Sequence, residues 1–259
     1  MIDLNEIEKD VNQALKVTYF DVIDSTNAEA KRQAPSLYEA RDNIPRLFIA
    51  RSQTVGRGRM GRSFLSRADS GIFMSFLYFT EKPLYDAVTV TTAAAAIVAE
   101  AIESVADRPM RIKWVNDIYD DVGKVCGILA ETLSLSPDLR AVIVGIGINT
   151  GELDFPEELQ GIASSVGDIS GREELLISRI ADKLLLHAEA PENTEYMTEY
   201  RKRFMLTGER VCLMQNGEIT DEGIVLGVDD RGGLLFLPDG KGETVAVHSG
   251  EISVRIKKE

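Results

Sequence analysis

RLFIARSQTVGRGRMGRSFLSRADSGIFMSFLYF, residues 46–79, decides the fold. Gly56, Gly58 and Gly61 satisfy the G-x-G-x-x-G spacing that opens a dinucleotide-binding βαβ unit. Such a unit needs a helix directly after the glycines, its N-terminus aimed at the pyrophosphate. Here an apolar run at 47–50 precedes the loop, and a turn followed by a second β-branched and aromatic run at 72–79 comes after it. With no helix to meet a phosphate, the stretch reads as strand, arginine-rich loop, strand.

Similar runs predict further strands near 17–23, 118–119, 125–132 and 141–148. A first helix is expected over 27–33, with Thr26 and Glu29 as a capping box. A second follows Pro83 and stops at Asp107-Arg108-Pro109, with Ile97, Ala101 and Val105 on one face. Strands interspersed with helices indicate a layered α/β or α+β domain. From 172 to 203 the pattern is helical, with Leu175, Leu176, Ile180, Leu184 and Leu185 as the apolar stripe and Pro191 as the break. After Gly208 come short apolar segments at 211–214, 223–228, 234–237, 244–248 and 252–256, separated by Asn216-Gly217, residues 230–233, Asp239-Gly240 and Ser249-Gly250. Such spacing predicts a small closed β-barrel. The expected division is residues 1–207 and residues 208–259.

The 259-residue chain carries a net charge of −13, which opposes broad attraction to DNA, RNA or anionic membranes. Cys126 and Cys212 stand far apart in apolar segments without metal-ligand spacing, and read as buried thiols that fit a reducing cytoplasm. The N-terminus carries acids where an export signal needs positive charge. The uncharged run 87–99 falls short of the ~20 residues that span a bilayer. About sixteen residues precede the first strand, so no DNA-reading helix-turn-helix is expected there. With His187 and His248 the only histidines, and no P-loop motif, catalysis is expected from Lys, Arg, Asp, Asn and backbone groups that position phosphates.

Arg57, Arg59 and Arg62 repel one another unless an anion gathers them. The glycines between them suit a loop that is mobile when empty and closes over an anionic reactant. A second cluster, RIKWVNDIYDDVGKVCGILAET at 111–132, brings Lys113, Asn116, Asp117 and Lys124 close in sequence. An Asp can hold Mg²⁺ while a Lys neutralises developing charge on phosphate or carboxylate. Taken alone, Asn116-Asp117 also reads as an ordinary turn and Trp114 as a core residue. In VGIGINT, 144–150, alternate glycines suggest close backbone approach, and Asn149 emerges at the strand end.

Five stretches in order, DSTNAEA at 24–30, QTVGRGRMGRSF at 53–64, KWVNDI at 113–118, GKVCGILAET at 123–132 and VGIGIN at 144–149, resemble the catalytic region of the biotin protein ligases. The C-terminal segment resembles that family's small Src-homology-3-like β-barrel. The resemblance implies an α+β fold, a central mixed sheet flanked by helices as in class II aminoacyl-tRNA synthetases, and the type without an N-terminal DNA-binding domain. It implies biotin and ATP as substrates, Mg²⁺, and no tightly bound prosthetic group. It places Ser25, Thr26, Asn27, Gln53, Arg57, Gly58, Arg59, Lys124 and Gly127 around biotin, with Lys124 and Arg57 catalytic. Arg59, Arg62, Lys113, Asn116, Asp117 and Asn149 fall on the ATP side, Asp117 also as metal ligand.

The implied reaction is formation of biotinyl-5′-AMP, then transfer of biotin to a lysine of a biotin carboxyl carrier protein. Family members often pair through the edge of the central sheet; neither DNA nor membrane is an implied partner. This sequence departs from the usual family pattern at Val115, where proline is common, and Phe64, where tryptophan is common. A lipoate ligase is the nearest rival, disfavoured by GRGRMGR; an RNA-binding loop is disfavoured by the acidic chain, and a biotin-sensing repressor by the short N-terminal segment.

Overall fold

Lys16–Ile23 (β1) and Arg46–Gln53 (β2) run parallel, and Gly71–Thr80 (β3) returns antiparallel to β2, so the arginine–glycine stretch does join two neighbouring strands. The computed structural model describes residues 2–81, 87–248 and 252–256. Arg111–Lys113 (β4), Asp117–Tyr119 (β5), Lys124–Ser134 (β6) and Arg140–Asn149 (β7) complete a seven-stranded mixed sheet of order β1-β2-β3-β7-β6-β5-β4. β3 is central and buried on both faces, which is why IFMSFLYF is apolar almost without alternation.

One face of the sheet is covered by the helix Thr26–Glu39 (α2), whose Ala30 and Ala34 meet Phe48, Leu77, Ala141 and Ile143. The small alanines let the helix sit close to the strands. The other face carries the main core, built with the helices Leu4–Asp10 (α1), Ala87–Ala106 (α3), Glu173–Glu189 (α4) and Tyr196–Arg203 (α5). α3 is long and apolar enough to cross a membrane by composition, but 83% of its apolar window is buried inside the protein, so it is the core helix of this domain.

Several sequence expectations need correction. α2 begins one residue earlier than expected and is capped by Ser25, whose Oγ accepts from Ala28 N at 3.5 Å; Thr26 lies inside the helix and forms no capping box with Glu29. The helix also runs through Pro35 to Glu39. Leu175 is on the exposed side of α4, and Ile177 takes its place in the buried stripe. α1 and β4 carry no sequence forecast. The expected helix start after Pro83 and the Ser249-Gly250 turn lie outside the described residues.

The C-terminal segment forms a five-stranded antiparallel sheet of the Src-homology-3-like kind, order β11-β10-β9-β8-β12, from Arg210–Gln215 (β8), Glu218–Val228 (β9), Leu234–Pro238 (β10), Val245–Val247 (β11) and Ile252–Ile256 (β12). Asn216 and Gly217, at φ 52° and 86°, make the two-residue β8–β9 turn, the left-handed pair that a tight hairpin requires. Val211, Val225 and Phe236 join the same core cluster as the larger sheet. The docking is specific: the buried Trp114 indole donates to Gly232 O at 2.9 Å, and a Cβ on Gly232 (φ 79°) would lie 2.6 Å from Thr92 Cγ2 of α3. Gly232→Ala is therefore expected to cost about 1–3 kcal/mol, from backbone strain and overpacking, in urea unfolding. A loss below ~0.5 kcal/mol would show that the turn relaxes freely.

Candidate active site

The arginine–glycine stretch folds as a small hairpin over the sheet. Gly58 N donates to Arg62 O at 2.7 Å, Phe64 N donates to Gly56 O at 3.0 Å, and Arg57 faces Ser63 across an isolated bridge. Gly56 is required by space, since a Cβ there would lie 2.3 Å from Phe64 O; Gly61 is required by its φ of 72°. Arg57 and Arg62 remain exposed, while burial of Arg59 holds its guanidinium below the ordinary arginine value. Arg59 donates to Asn116 Oδ1 at 2.9 Å and to Ile252 O at 3.2 Å, tying the hairpin to both sheets.

Beneath the hairpin lies a cleft whose floor is β6 and β7. Gly127 and Gly147 face each other in register, and the Phe64 ring rests on them; a Cβ on Gly147 would come within 2.6 Å of that ring. Phe64 also packs edge-on against Phe73, with ring centroids 6.3 Å apart. The close approach read from VGIGIN is thus real.

One group of cleft residues is polar and uncharged, and all of it but the half-buried Gln53 is buried. Ser25, Thr26 and Asn27 start α2, and Gln53 ends β2. Gln53 Oε1 accepts from Thr26 N at 2.9 Å and lies 3.2 Å from Thr26 Oγ1, while its Nε2 donates to Ser66 Oγ at 2.9 Å. Asn27 lies flat against Gly145, where an added Cβ would lie 2.1 Å from its Oδ1. Gly145→Ala is expected to destabilise by about 1–3 kcal/mol in urea unfolding, because the amide it strikes cannot swing away from its partners. Stability equal to wild type would show that the amide has room to move.

A second group is charged. Lys124 Nζ lies 2.6 Å from Asp117 Oδ1 and 5.8 Å from the centre of the Phe64 ring. The Lys124 backbone is clamped by a neighbouring strap: its N–H donates to Ile162 O and its carbonyl accepts from Ser164 N, both at 2.8 Å. Lys113 Nζ stands over the Tyr119 ring at 5.8 Å; burial pulls its ammonium below the usual lysine value and pushes the Tyr119 phenol up to about 12. Asn116 donates to Ile128 O at 2.8 Å, which leaves its Oδ1 turned to Arg59.

Ser25, Thr26, Asn27, Gln53, Arg57, Gly58, Arg59, Arg62, Lys113, Asn116, Asp117, Lys124 and Gly127 thus share one cleft. Asn149 does not line it; its amide donates to Ser164 O at 2.8 Å and to the Lys124 carbonyl at 3.4 Å. Neither histidine lines it: His187 packs edge-on against Tyr196, and His248 lies 3.0 Å from Asp229. Sequence reasoning missed the wall supplied by Ser253 and Val254 of β12, and the buried Ser75 behind Thr26. The hydroxyl of Ser75 amid the apolar run of β3 was the signal available for the latter.

Residues 19–149, half of the chain, match the family described as "Biotin/lipoate A/B protein ligase family". The chain belongs to this biotin/lipoate protein ligase family. Residues 207–255 match the "Biotin protein ligase C terminal domain". Among family members, the bifunctional ligase/repressor BirA of Bacillus subtilis is 35% identical over 231 residues, 84% of this chain and 68% of that protein. The biotin–[acetyl-CoA-carboxylase] ligase of Mycobacterium tuberculosis is 31% identical over 238 residues, 88% of this chain and 85% of that protein. The solved structure of biotin protein ligase from Aquifex aeolicus in complex with biotin and ATP superposes with a TM-score of 0.75 at 30% identity, covering 93% of this chain and 99% of that one.

Proposed function

We propose that this chain is a biotin protein ligase, an ATP-dependent enzyme that makes biotinyl-5′-AMP and passes the biotinyl group to a lysine of a biotin carboxyl carrier protein. The observation that carries the reading is the composition of one cleft: the buried Ser25 and Thr26 with the half-buried Gln53 form a neutral hydrogen-bonding group, and Arg57, Arg59, Arg62, Lys113 and Lys124 line the same cleft with Asp117 as the sole carboxylate among the described lining residues. The first suits a neutral ureido ring. The second suits a carboxylate and a triphosphate in an otherwise acidic protein.

In the first step a biotin carboxylate oxygen attacks the α-phosphorus of ATP, the α–β bridging P–O bond breaks, and pyrophosphate leaves. In the second, a carrier lysine amine attacks the acyl carbon, AMP leaves, and the amine proton passes to solvent. Negative charge develops on oxygen in both steps, where Lys124 and Arg57 stabilise it. Arg59, Arg62 and Lys113 receive the outer phosphates, and phosphate beside Lys113 offsets the burial that disfavours its charge. Asn149, outside the cleft, ties the Lys124 carbonyl to the strap at Ser164 through its amide hydrogens and so supports the strand end that carries Lys124.

Mg²⁺ arrives with ATP. Asp117 fits it: Oδ1 is buried and has no hydrogen-bond partner, only the Lys124 ammonium beside it, and Mg²⁺ combines one or two carboxylates with phosphate oxygens. When bound, the ion neutralises phosphate charge. On this reading residues 1–207 carry the chemistry and residues 208–259 close the cleft. A homodimer would form through β1, which lies at one edge of the larger sheet. Two free buried thiols, Cys126 and Cys212, suit the cytoplasm.

The test is incubation with α-labelled ATP, Mg²⁺ and biotin, with lipoate in a parallel reaction. Labelled biotinyl-AMP from biotin alone is expected. Adenylate from lipoate alone would move the chain to the lipoate branch, and none from either, with folded protein, would overturn the reading.

A further inference from the structure

Behind the neutral end of the cleft a chain of polar side chains leads away from the ligand space. Asn27 is only 5% exposed, and every hydrogen-bonding direction of its amide that faces protein is used. Nδ2 donates to Glu131 Oε2 at 2.9 Å and to Leu129 O at 3.3 Å, while Oδ1 accepts from Ser75 Oγ at 2.5 Å. Ser75, fully buried, also lies 2.7 Å from Thr26 Oγ1. The second Glu131 oxygen, Oε1, is held by Lys31 Nζ at 2.6 Å. Asn27 and Lys31 are one helical turn apart on α2, so a single carboxylate on β6 grips the first two turns of the helix, one point on each.

The amide can be satisfied in only one orientation. With Oδ1 and Nδ2 exchanged, Oδ1 would face the carboxylate of Glu131 and the carbonyl of Leu129, and two lone-pair contacts would replace two hydrogen bonds. Glu131 thereby decides which end of the amide meets Ser75. Ser75 in turn shares its hydroxyl between Asn27 and Thr26, and Thr26 touches Gln53. Glu131 is not among the cleft-lining residues. Lys31 offsets the charge that would otherwise make a half-buried carboxylate costly beside a neutral pocket.

We propose that Glu131 is a positioning residue for biotin recognition: neutralised by Lys31, its carboxylate fixes the Asn27 amide and, through Ser75, the Thr26 hydroxyl, so that the start of α2 meets the ureido ring in one hydrogen-bonding pattern. This rests on the biotin ligase reading above. Charge at the phosphate end plays no part in it, so the effect of losing Glu131 is confined to biotin.

The experiment measures KM for biotin, KM for ATP and kcat of biotinyl-adenylate formation in the whole protein, for wild type, Glu131→Ala and Glu131→Gln. Glu131→Ala is expected to raise the biotin KM about 10- to 100-fold, the size of a lost charge-assisted hydrogen bond, with ATP KM and kcat within about twofold. Glu131→Gln keeps an acceptor within reach of Asn27 and is expected to recover at least half of that loss on a logarithmic scale. An unchanged biotin KM in Glu131→Ala, a parallel rise in ATP KM, or equal defects in the two variants would overturn the proposal. The side-chain amide NMR signals of Asn27 give a reading independent of activity. Slow exchange in wild type that is lost in Glu131→Ala supports the clamp, and equal exchange in both overturns it. Should wild type form no biotinyl adenylate, the ligase reading fails while the amide signals still decide whether Glu131 orients Asn27.

Discussion

Lys124→Ala is expected to slow biotinyl-5′-AMP formation by about 10²- to 10³-fold, the loss typical of removing one donor aimed at developing oxyanion charge. The strap at residues 162–164 fixes the Lys124 backbone, and Gly123 permits that contact because a Cβ there would lie 2.8 Å from Ile162 O. The ammonium is therefore presented from a rigid strand end. Its charge rests on Asp117 at 2.6 Å, and were that carboxylate to hold Mg²⁺, the ammonium would be left to face the reacting phosphate. The loss is expected mainly in kcat, since the charge to be stabilised exists in the transition state more than in bound substrates. Lys124→Arg keeps the charge but replaces a compact ammonium with a planar fork, and is expected to recover only part of the rate. Single-turnover pyrophosphate release measures both variants, with the unfolding midpoint as control. A Lys124→Ala rate within about fivefold of wild type would remove Lys124 from the reacting phosphate.

Much of this architecture was legible in the chain because its signals are local. The run after the arginine–glycine loop shows strand residues and no helix start, and β3 lies there. Asn216-Gly217 encodes its own hairpin, and the alternate glycines of β7 announce the close approach of Asn27 and Phe64. What escaped is defined by distant partners. α1 has seven residues, too few to hold a helix alone, and is held through Asp3 N to Glu174 and through the neighbouring Asn12 to Asp182. β4 has three residues and exists through pairing of Ile112 with Ile118 and a bridge to Phe204. Ser25 displaced Thr26 as the cap because Thr26 is engaged by Gln53 and Ser75, a competition visible only after β2 and β3 pack beneath α2. The β12 wall of the cleft has no local signal at all, since Ser253 and Val254 reach it only through docking of the second sheet.

Arg57→Ala is expected to leave the adenylate half-formed in purpose: made, then released. Arg57 is exposed on the hairpin and lines the cleft, and among the described residues its guanidinium has no hydrogen bond or ion pair within the protein. Arg59, by contrast, is anchored to Asn116 and Ile252 and holds the hairpin in place whichever residue stands at 57. Removing Arg57 thus subtracts a charged contact to the ligand while sparing the loop. The cost to adenylate retention is about 10- to 100-fold, the worth of one charge-assisted hydrogen bond. Its formation falls less, because Lys124 remains at the phosphate. A mixed anhydride that leaves the cleft acylates any accessible amine, so bystander proteins in the same tube become biotinylated and carrier selectivity is lost. Labelled adenylate surviving gel filtration with the protein, and biotin blots of a carrier mixed with an unrelated lysine-rich protein, measure the two effects. Strict carrier selectivity with tightly held adenylate in Arg57→Ala would mean that the hairpin backbone and Arg59 alone keep the intermediate in, and that Arg57 serves the loop's solvent face.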